Sequence, residues 1–592
     1  MKFHIFFIFH ILFLVTGNAQ TINLSHDLIR LGIATQNLPP DSPSIDARPL
    51  FQAALRYAKS HPTQMLTVDH GAYYFLTPEN VNAYLNFSSF SNLTVDLAAS
   101  TIYFAGAFLQ GFAFSDCEHV TLTNFQIDFL NPPYTYVRLA SVNPDQRTLV
   151  YTTLAGWVDP ATFNGVTAPS GPLVLWAVAF RDQEIVPGTS RMNVAQPIAN
   201  NVLRLVQDNT PWTQGATLST LQPGDAIVVT QRGGLPPVSV TRGDSITISN
   251  GTVYGASAIA VLLNSVSNST VAKVNVMPGH GNLISSNADG IHFIDTGTNN
   301  HIRNCFVTRT LDDALVMDSY DLATVASVSG PRQITVSRTA YLRFSNGAAV
   351  NFVDPVSAKE VPGATIISQS PPDSNSPVFD GAVVLTFDRD LPTLSSGFGM
   401  VFANQSQRGA GSSIEENRVG EVPFGRGIWI GGSEGVTIQG NEIGHTSNGG
   451  IVVFEDTKSY PVPPAHDIII RNNLIVGSLG PMASGSGTQI AVGALLVDSI
   501  NNIGAFASLP VNSNIAIEAN DIFDSGRSGI WVGDLNGGKI RDNLIIGYDR
   551  YPELPLFGVS LAEKAQLLED FTHAIVIHYS HNVSETNNWS WR

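Results

Sequence analysis

Apolar residues recur along this chain in short alternating runs, each interrupted by an asparagine and then resumed. Early copies are Val120-Thr-Leu-Thr-Asn124-Phe-Gln-Ile127 and Ile246-Thr-Ile-Ser-Asn250-Gly-Thr-Val253. Later ones are His301-Ile-Arg-Asn304-Cys-Phe-Val307, Val436-Thr-Ile-Gln-Gly-Asn441-Glu-Ile443 and Ile468-Ile-Ile-Arg-Asn-Asn473-Leu-Ile475. Ile515-Ala-Ile-Glu-Ala-Asn520-Asp-Ile522 and Lys539-Ile-Arg-Asp-Asn543-Leu-Ile545 complete the series. Period-2 alternation places one set of side chains in a core, and asparagine tolerates the left-handed backbone of a bend. Each copy therefore reads as strand, bend, strand. Asn417 to Asn441 is 24 residues and Asn520 to Asn543 is 23, a period that signals stacked coils. The fold class predicted is all-β: a right-handed parallel β-helix. An antiparallel sandwich fits less well, because hairpin dipeptides are sparse.

The same patterning divides the chain. Residues 44–58 read as an amphipathic helix with Leu50, Phe51, Ala54, Leu55 and Ala58 on its apolar face, capped by Ser44 or Asp46. Such a helix suits the end of a solenoid, which needs a polar outer surface. Residues 132–240 and 322–408 are strand-rich but lack the asparagine bend, and are expected to form β-barrel-like insertions. The predicted order is an N-terminal cap with first coils over 20–131, an insertion over 132–240 and coils over 241–321. A second insertion over 322–408 and C-terminal coils over 409–592 follow.

Composition agrees with strands and tight turns. Charged residues are 13% against 43% hydrophobic, with 51 glycines. The net charge of −17 argues against nucleic acid or an anionic membrane as partner, since both require basic patches. It leaves neutral oligosaccharides or polysaccharides compatible. Lys2, the apolar run Phe3 to Val15, and small Gly17 and Ala19 have the form of a signal peptide over residues 1–19, so a secreted, extracellular protein is expected. Eight Asn-x-Ser/Thr sequons, at Asn23, Asn86, Asn92, Asn250, Asn268, Asn404, Asn582 and Asn588, fit that compartment. Cys117 and Cys305 are the only cysteines, and their spacing leaves their pairing open.

Chemistry concentrates in Asn287-Ala-Asp289-Gly-Ile-His292-Phe293 and Arg309-Thr-Leu-Asp312-Asp313-Ala-Leu-Val-Met317. Asp289 to Asp312 is 23 residues, one coil, and neighbouring strands lie about 4.8 Å apart. Asp289 is therefore expected nearly above Asp312, with Asp313 about 3.3 Å further along. Carboxylates that close disfavour simultaneous ionisation, so one retains a proton beside an ionised partner. Glycoside hydrolysis needs such a pair. In a regular strand Asp312 and Asp313 face opposite sides, so a shared site requires a bend or bulge there.

Candidate substrate-binding residues surround this group. In Gly427-Ile-Trp429-Ile-Gly431 and Gly529-Ile-Trp531-Val-Gly533 the alternation points both indoles outward, where they can stack on sugar or cover the wall. Glu455 and Asp456 end a predicted strand, Arg426 precedes Trp429, and His292 alternates with Ile291 and Phe293. No His/Cys cluster has metal-ligand spacing and no glycine-rich phosphate loop is present, so neither a metal nor a cofactor is expected.

Ala288-Asp289-Gly-Ile-His-Phe293, Leu311-Asp312-Asp313-Ala314 and Arg426-Gly-Ile-Trp-Ile430 with Asn441 resemble glycoside hydrolase family 110, the α-1,3-galactosidases. That family lies among the pectin-lyase-like β-helix glycosidases. The resemblance implies an aspartate trio that removes terminal α-linked galactose with inversion and without a metal. It implies Asp312 as general acid, with Asp289 and Asp313 holding the water. The match departs after the aspartate pair, where the family pattern has Asn-x-His and this chain has Leu315-Val-Met-Asp318. Alternatives are an internally cleaving polygalacturonase-like glycanase, a polysaccharide lyase, for which no Lys or Arg base is evident, and a non-catalytic glycan-binding β-helix.

Overall fold

The computed structural model describes residues 20–592 apart from 169–170, 173, 187–188, 190–191, 207–217, 280, 320–321, 339–345, 355–356, 358, 371–380, 393–399, 404–407, 457–461, 480–491, 501–509, 551–569 and 571. The expected signal peptide over 1–19 and the sequon at Asn404 lie outside the described residues. No helix among the described residues is long and apolar enough to cross a membrane.

The coils stack as a parallel β-helix. One wall is an eleven-stranded sheet, paired in parallel from Ala83–Ser88 through to Ile575–His578. The remaining walls belong to a 21-stranded parallel sheet, to which a coil gives two short strands, such as Ser413–Glu415 and Arg418–Val419. Register fixes the core. Val261, Ile291, Leu315, Ile428, Ile451, Leu495, Ile530 and Ile575 pair in succession along one row. Nearly all of them are fully buried in the main hydrophobic core. A one-residue slip would turn this whole row outward, so the alternation of each strand enforces the stacking.

The repeating asparagine separates into two physical roles. Asn124, Asn250, Asn304 and Asn472 hold the left-handed bend with φ between 51° and 56°, as expected. Asn441, Asn473, Asn520 and Asn543 instead occupy the next position and form a buried ladder. In that ladder Asn417 Nδ2 donates to Asn441 Oδ1 at 2.9 Å, and the bond repeats through Asn473, Asn520, Asn543 and Asn588 at 2.9–3.0 Å. Each Nδ2 also donates to a backbone carbonyl of the preceding coil. Further towards the N-terminus the ladder position holds Cys305, whose amide donates to Asn417 Oδ1. Cys117 and Cys305 are both free and buried.

At the N-terminal end, helix Ala47–Ser60 is capped by the Asp46 carboxylate, which accepts from Arg48 N. Its buried Phe51 packs on Phe75 of the first coils, with ring centroids 5.3 Å apart. Among the described residues the chain leaves the solenoid for two folded excursions. Between Gln110–Ser115 and its neighbour Val238–Thr241, strands from Tyr134–Asn143 to Ala226–Arg232 form an antiparallel sheet with its own core. Between Leu315–Asp318 and its neighbour Ile428–Gly431, six strands from Leu322–Gly330 to Met400–Ala403 close into a barrel. Both excursions leave the eleven-stranded wall's order intact, and the first packs on the turns that lead into it, where Leu283 N donates to the Tyr136 hydroxyl at 2.6 Å.

Candidate active site

The three aspartates lie where two coils turn into the eleven-stranded wall. Asp289 precedes strand Ile291–Ile294, and Asp312 and Asp313 precede strand Leu315–Asp318. Pairing of Ile291 with Leu315 sets Asp289 beside Asp313, not beside Asp312 as the 23-residue spacing suggested. The offset between these coils is 24 residues. Asp313 N donates to Asp289 Oδ1 at 3.1 Å, and Gly290 N donates to the Asp313 carbonyl at 3.0 Å.

Asp312 sits in the bend before the strand. The Thr310 hydroxyl donates to its carbonyl at 2.7 Å. The next coil approaches this bend so closely that a Cβ on Gly425, at φ +136°, would stand 2.5 Å from the Asp312 carbonyl carbon. Glycine alone fits there. Because the bend precedes the alternating strand, Asp312 and Asp313 serve the same site. One oxygen of each of the three carboxylates lies within 4.8 Å of the others.

Each carboxylate has its own cation. Arg426 donates to Asp313 twice, from Nη1 and from its backbone amide, both at 2.7 Å. Arg232, at the end of the antiparallel insertion, reaches Asp312 Oδ2 at 2.7 Å while stacking on Trp176, 4.7 Å from the ring centre. His292 meets Asp289 through Nδ1 at 2.7 Å and Asp318 through Nε2 at 2.8 Å. Side-chain exposure runs from 5% at Asp313 and 12% at Asp289 to 26% at Asp312. Asp312 is thus the member most open to an incoming molecule.

Burial outweighs the Arg426 guanidinium and, with the charges of Asp312 and Asp289, pushes the Asp313 carboxyl up to about 7. Burial acts against a charged His292, but the Asp318 and Asp289 carboxylates prevail and hold it up to about 10. The Asp318 carboxyl is raised by burial, with the His292 charge opposing. Among the described residues, Asp289, Asp312 and Asp313 are the one group of acids close enough to share a metal ion. Arg232, Arg426 and His292 already supply positive charge at those oxygens.

Other predicted site residues fall differently. Trp429 points away from the core but is only 4% exposed, packed with Val316, Val452, Leu496 and Trp531 in a second apolar cluster on the outer wall. The Arg426 guanidinium covers its ring at 4.5 Å. Trp429 therefore supports Arg426 and does not offer a face to sugar. Trp531 is likewise buried, donating from Nε1 to Asp498 at 2.7 Å. His292 is buried with both ring nitrogens committed to carboxylates, and so is not presented to a substrate as expected. Glu455 is buried two strands along the wall from Leu315–Asp318, opposite Ser499, where its charge acts on Asp534. The backbone of Asp456 ends strand Ile451–Asp456, and its side chain lies outside the described residues.

The sequence reading missed three participants. Asp318 was legible as an acid two positions past Val316, on the face that His292 shares, yet it counted only as a departure from a motif. Arg232 and Trp176 carry no local signal, because a remote sheet brings them to the site.

The family model for a right handed beta helix region matches residues 393–589. Alpha-1,3-galactosidase A of Shewanella woodyi is 22% identical over 560 residues, which span 86% of this chain and 84% of that protein. Solved structures similar to the chain include the Agl-KA catalytic domain, at 11% identity over 97% of this chain and 67% of that one, with a TM-score of 0.46. A hyperthermoactive exopolygalacturonase from Thermotoga maritima aligns at 11% identity over 89% and 87%, with a TM-score of 0.42.

Proposed function

We propose that this protein is a secreted glycoside hydrolase that removes a terminal α-linked galactose from a neutral glycan, using Asp289, Asp312 and Asp313. The observation that carries this reading is the convergence of three carboxylates within 4.8 Å, each held by a separate cation. The distant likeness to an α-1,3-galactosidase supports the choice of sugar, and the net charge of −17 favours an uncharged substrate. Extracellular action rests on the signal-like first 19 residues.

Asp312, the most exposed of the three, passes to the leaving oxygen a proton drawn from the neighbouring Asp313, whose carboxyl is pushed up to about 7. Asp289 and Asp313, stacked on adjacent coils, hold the water. Two acids about 5 Å apart commonly mark a retaining enzyme, in which one attacks the sugar, whereas inverting pairs stand about 6.5–9.5 Å apart. Here the oxygens of the stacked pair are already engaged: Asp289 by Asp313 N and His292, Asp313 by Arg426 on both sides. Carboxylates pinned in this way suit ordering a water better than forming a bond to carbon, and inversion follows. Arg232 and Trp176 wall one side of Asp312, which favours attack on a chain end.

The test is a panel of terminal α- and β-galactosides and neutral polysaccharides incubated with the purified protein. Hydrolysis of α-galactosides by the wild type, lost in Asp289→Asn, is the expected result. A protein that cleaves nothing on the panel, or an Asp289→Asn variant that cleaves as well as the wild type, overturns the reading.

A further inference from the structure

We infer that Asp318, acting through His292, is a positioning residue that fixes the Asp289 carboxylate for its work on water. This rests on the reading above and extends it to an acid outside the trio. His292 bridges the two carboxylates, at 2.7 Å to Asp289 and 2.8 Å to Asp318. An imidazole that donates from both nitrogens is an imidazolium, because ionised carboxylates only accept. The ring thus carries a charge inside the wall, with Asp318 fully buried beneath it.

Asp318 is itself held in place. It ends strand Leu315–Asp318, its carbonyl accepts from Thr296 N at 3.2 Å and Thr296 Oγ1 at 3.1 Å, and Arg426 adds a favourable charge. Its second oxygen, Oδ1, is buried and has no hydrogen-bond partner among the described residues. A buried acid with an oxygen left over is costly unless a charge opposes it, and the imidazolium is that charge. The pairing therefore locks three things together: the ring's protonation, its orientation, and the rotamer of Asp289. With Asp313 N on Oδ1 and His292 on Oδ2, Asp289 presents its remaining lone pairs in one fixed direction. The charged groups facing this unit are Asp289, Asp313, Asp318 and Arg426.

The test compares Asp318→Asn with wild type on 4-nitrophenyl α-galactoside and on an alkyl α-galactoside. The aryl leaving group departs without a proton, so losses on the acid side show mainly with the alkyl substrate, whereas losses on the water side show equally with both. Asp318→Asn is expected to lower kcat by ~10- to ~100-fold, the scale of a misplaced reacting group, equally on both substrates and with KM within about threefold. Full activity of Asp318→Asn, beside an inactive Asp289→Asn, overturns this inference while leaving the proposed function standing. A wild type inactive on both galactosides removes the basis of each. Should Asp318→Asn fail to fold, NMR titration of the His292 ring in the wild type decides: an imidazolium persisting at pH 8 supports the assignment, and a neutral ring there overturns it.

Discussion

Asp312→Asn is expected to lower kcat on an alkyl α-galactoside by about 10²–10⁴-fold, the usual contribution of a positioned proton donor. Asparagine keeps the size of the side chain and still accepts from Arg232, so the bend and the insertion contact survive while the carboxylate that passes the proton on does not. The loss is expected to be much smaller on 4-nitrophenyl α-galactoside, whose leaving group needs no protonation. Equal losses on both substrates would assign the proton to another residue. The pH dependence follows from the same cluster. Asp313 retains its proton to about pH 7, so Asp312, which faces the Arg232 guanidinium, draws the proton it passes on from Asp313 below that pH and has none to draw above it. Accordingly kcat/KM should fall as pH rises through about 7.

Arg426→Met is expected to destabilise the fold by about 3–5 kcal/mol, the cost of breaking a buried pair from one side. Arg426 is 7% exposed, donates twice to Asp313, and lies on Trp429. Methionine preserves some of the stacking volume but leaves Asp313 buried beside Asp289 and Asp312 with its side-chain counter-charge gone. The loss is expected to depend on pH with a definite sign. A carboxyl whose pKa is raised in the folded state contributes fully below its unfolded value near 4, and that contribution disappears as pH rises through the folded value. The urea midpoint of Arg426→Met should therefore lie closest to wild type near pH 4 and furthest from it above pH 7. Adding Asp313→Asn should restore part of the loss at pH 8, a coupling that a double-mutant cycle measures. A single variant within about 1 kcal/mol of wild type at pH 8 would show that the pair does not hold this corner of the wall.

Much of this architecture was legible in the residues because coil stacking is a local rule applied repeatedly. Alternating Ile and Val in each strand set which face turns inward, and the recurring Asn marked each bend. What the pattern merged, the structure separates: Asn472 takes the left-handed turn and Asn473 the ladder, two demands that happen to select one residue type. The trio was legible for the same reason, but its register was off by one. The 23-residue spacing between Asp289 and Asp312 passes for one coil, but Ser286 pairs with Thr310 and Ile291 with Leu315, so this coil is 24 residues long and stacks Asp289 on Asp313. Trp429 shows a different limit. Alternation gives the direction of a side chain relative to the core, not what covers it from outside, and here an apolar cluster and Arg426 do. Arg232 illustrates the largest gap: an 80-residue separation from Asp312 is bridged by a folded sheet, and no periodicity along the chain encodes that meeting.

The central claim, that two stacked aspartates direct a water while a third protonates the leaving group, is tested most directly by the sugar first released. Proton NMR of α-galactoside cleavage, recorded faster than mutarotation, should show β-galactose appearing before its anomer. Initial release of α-galactose would mean that one of these carboxylates bonds to the sugar, and would contradict the account.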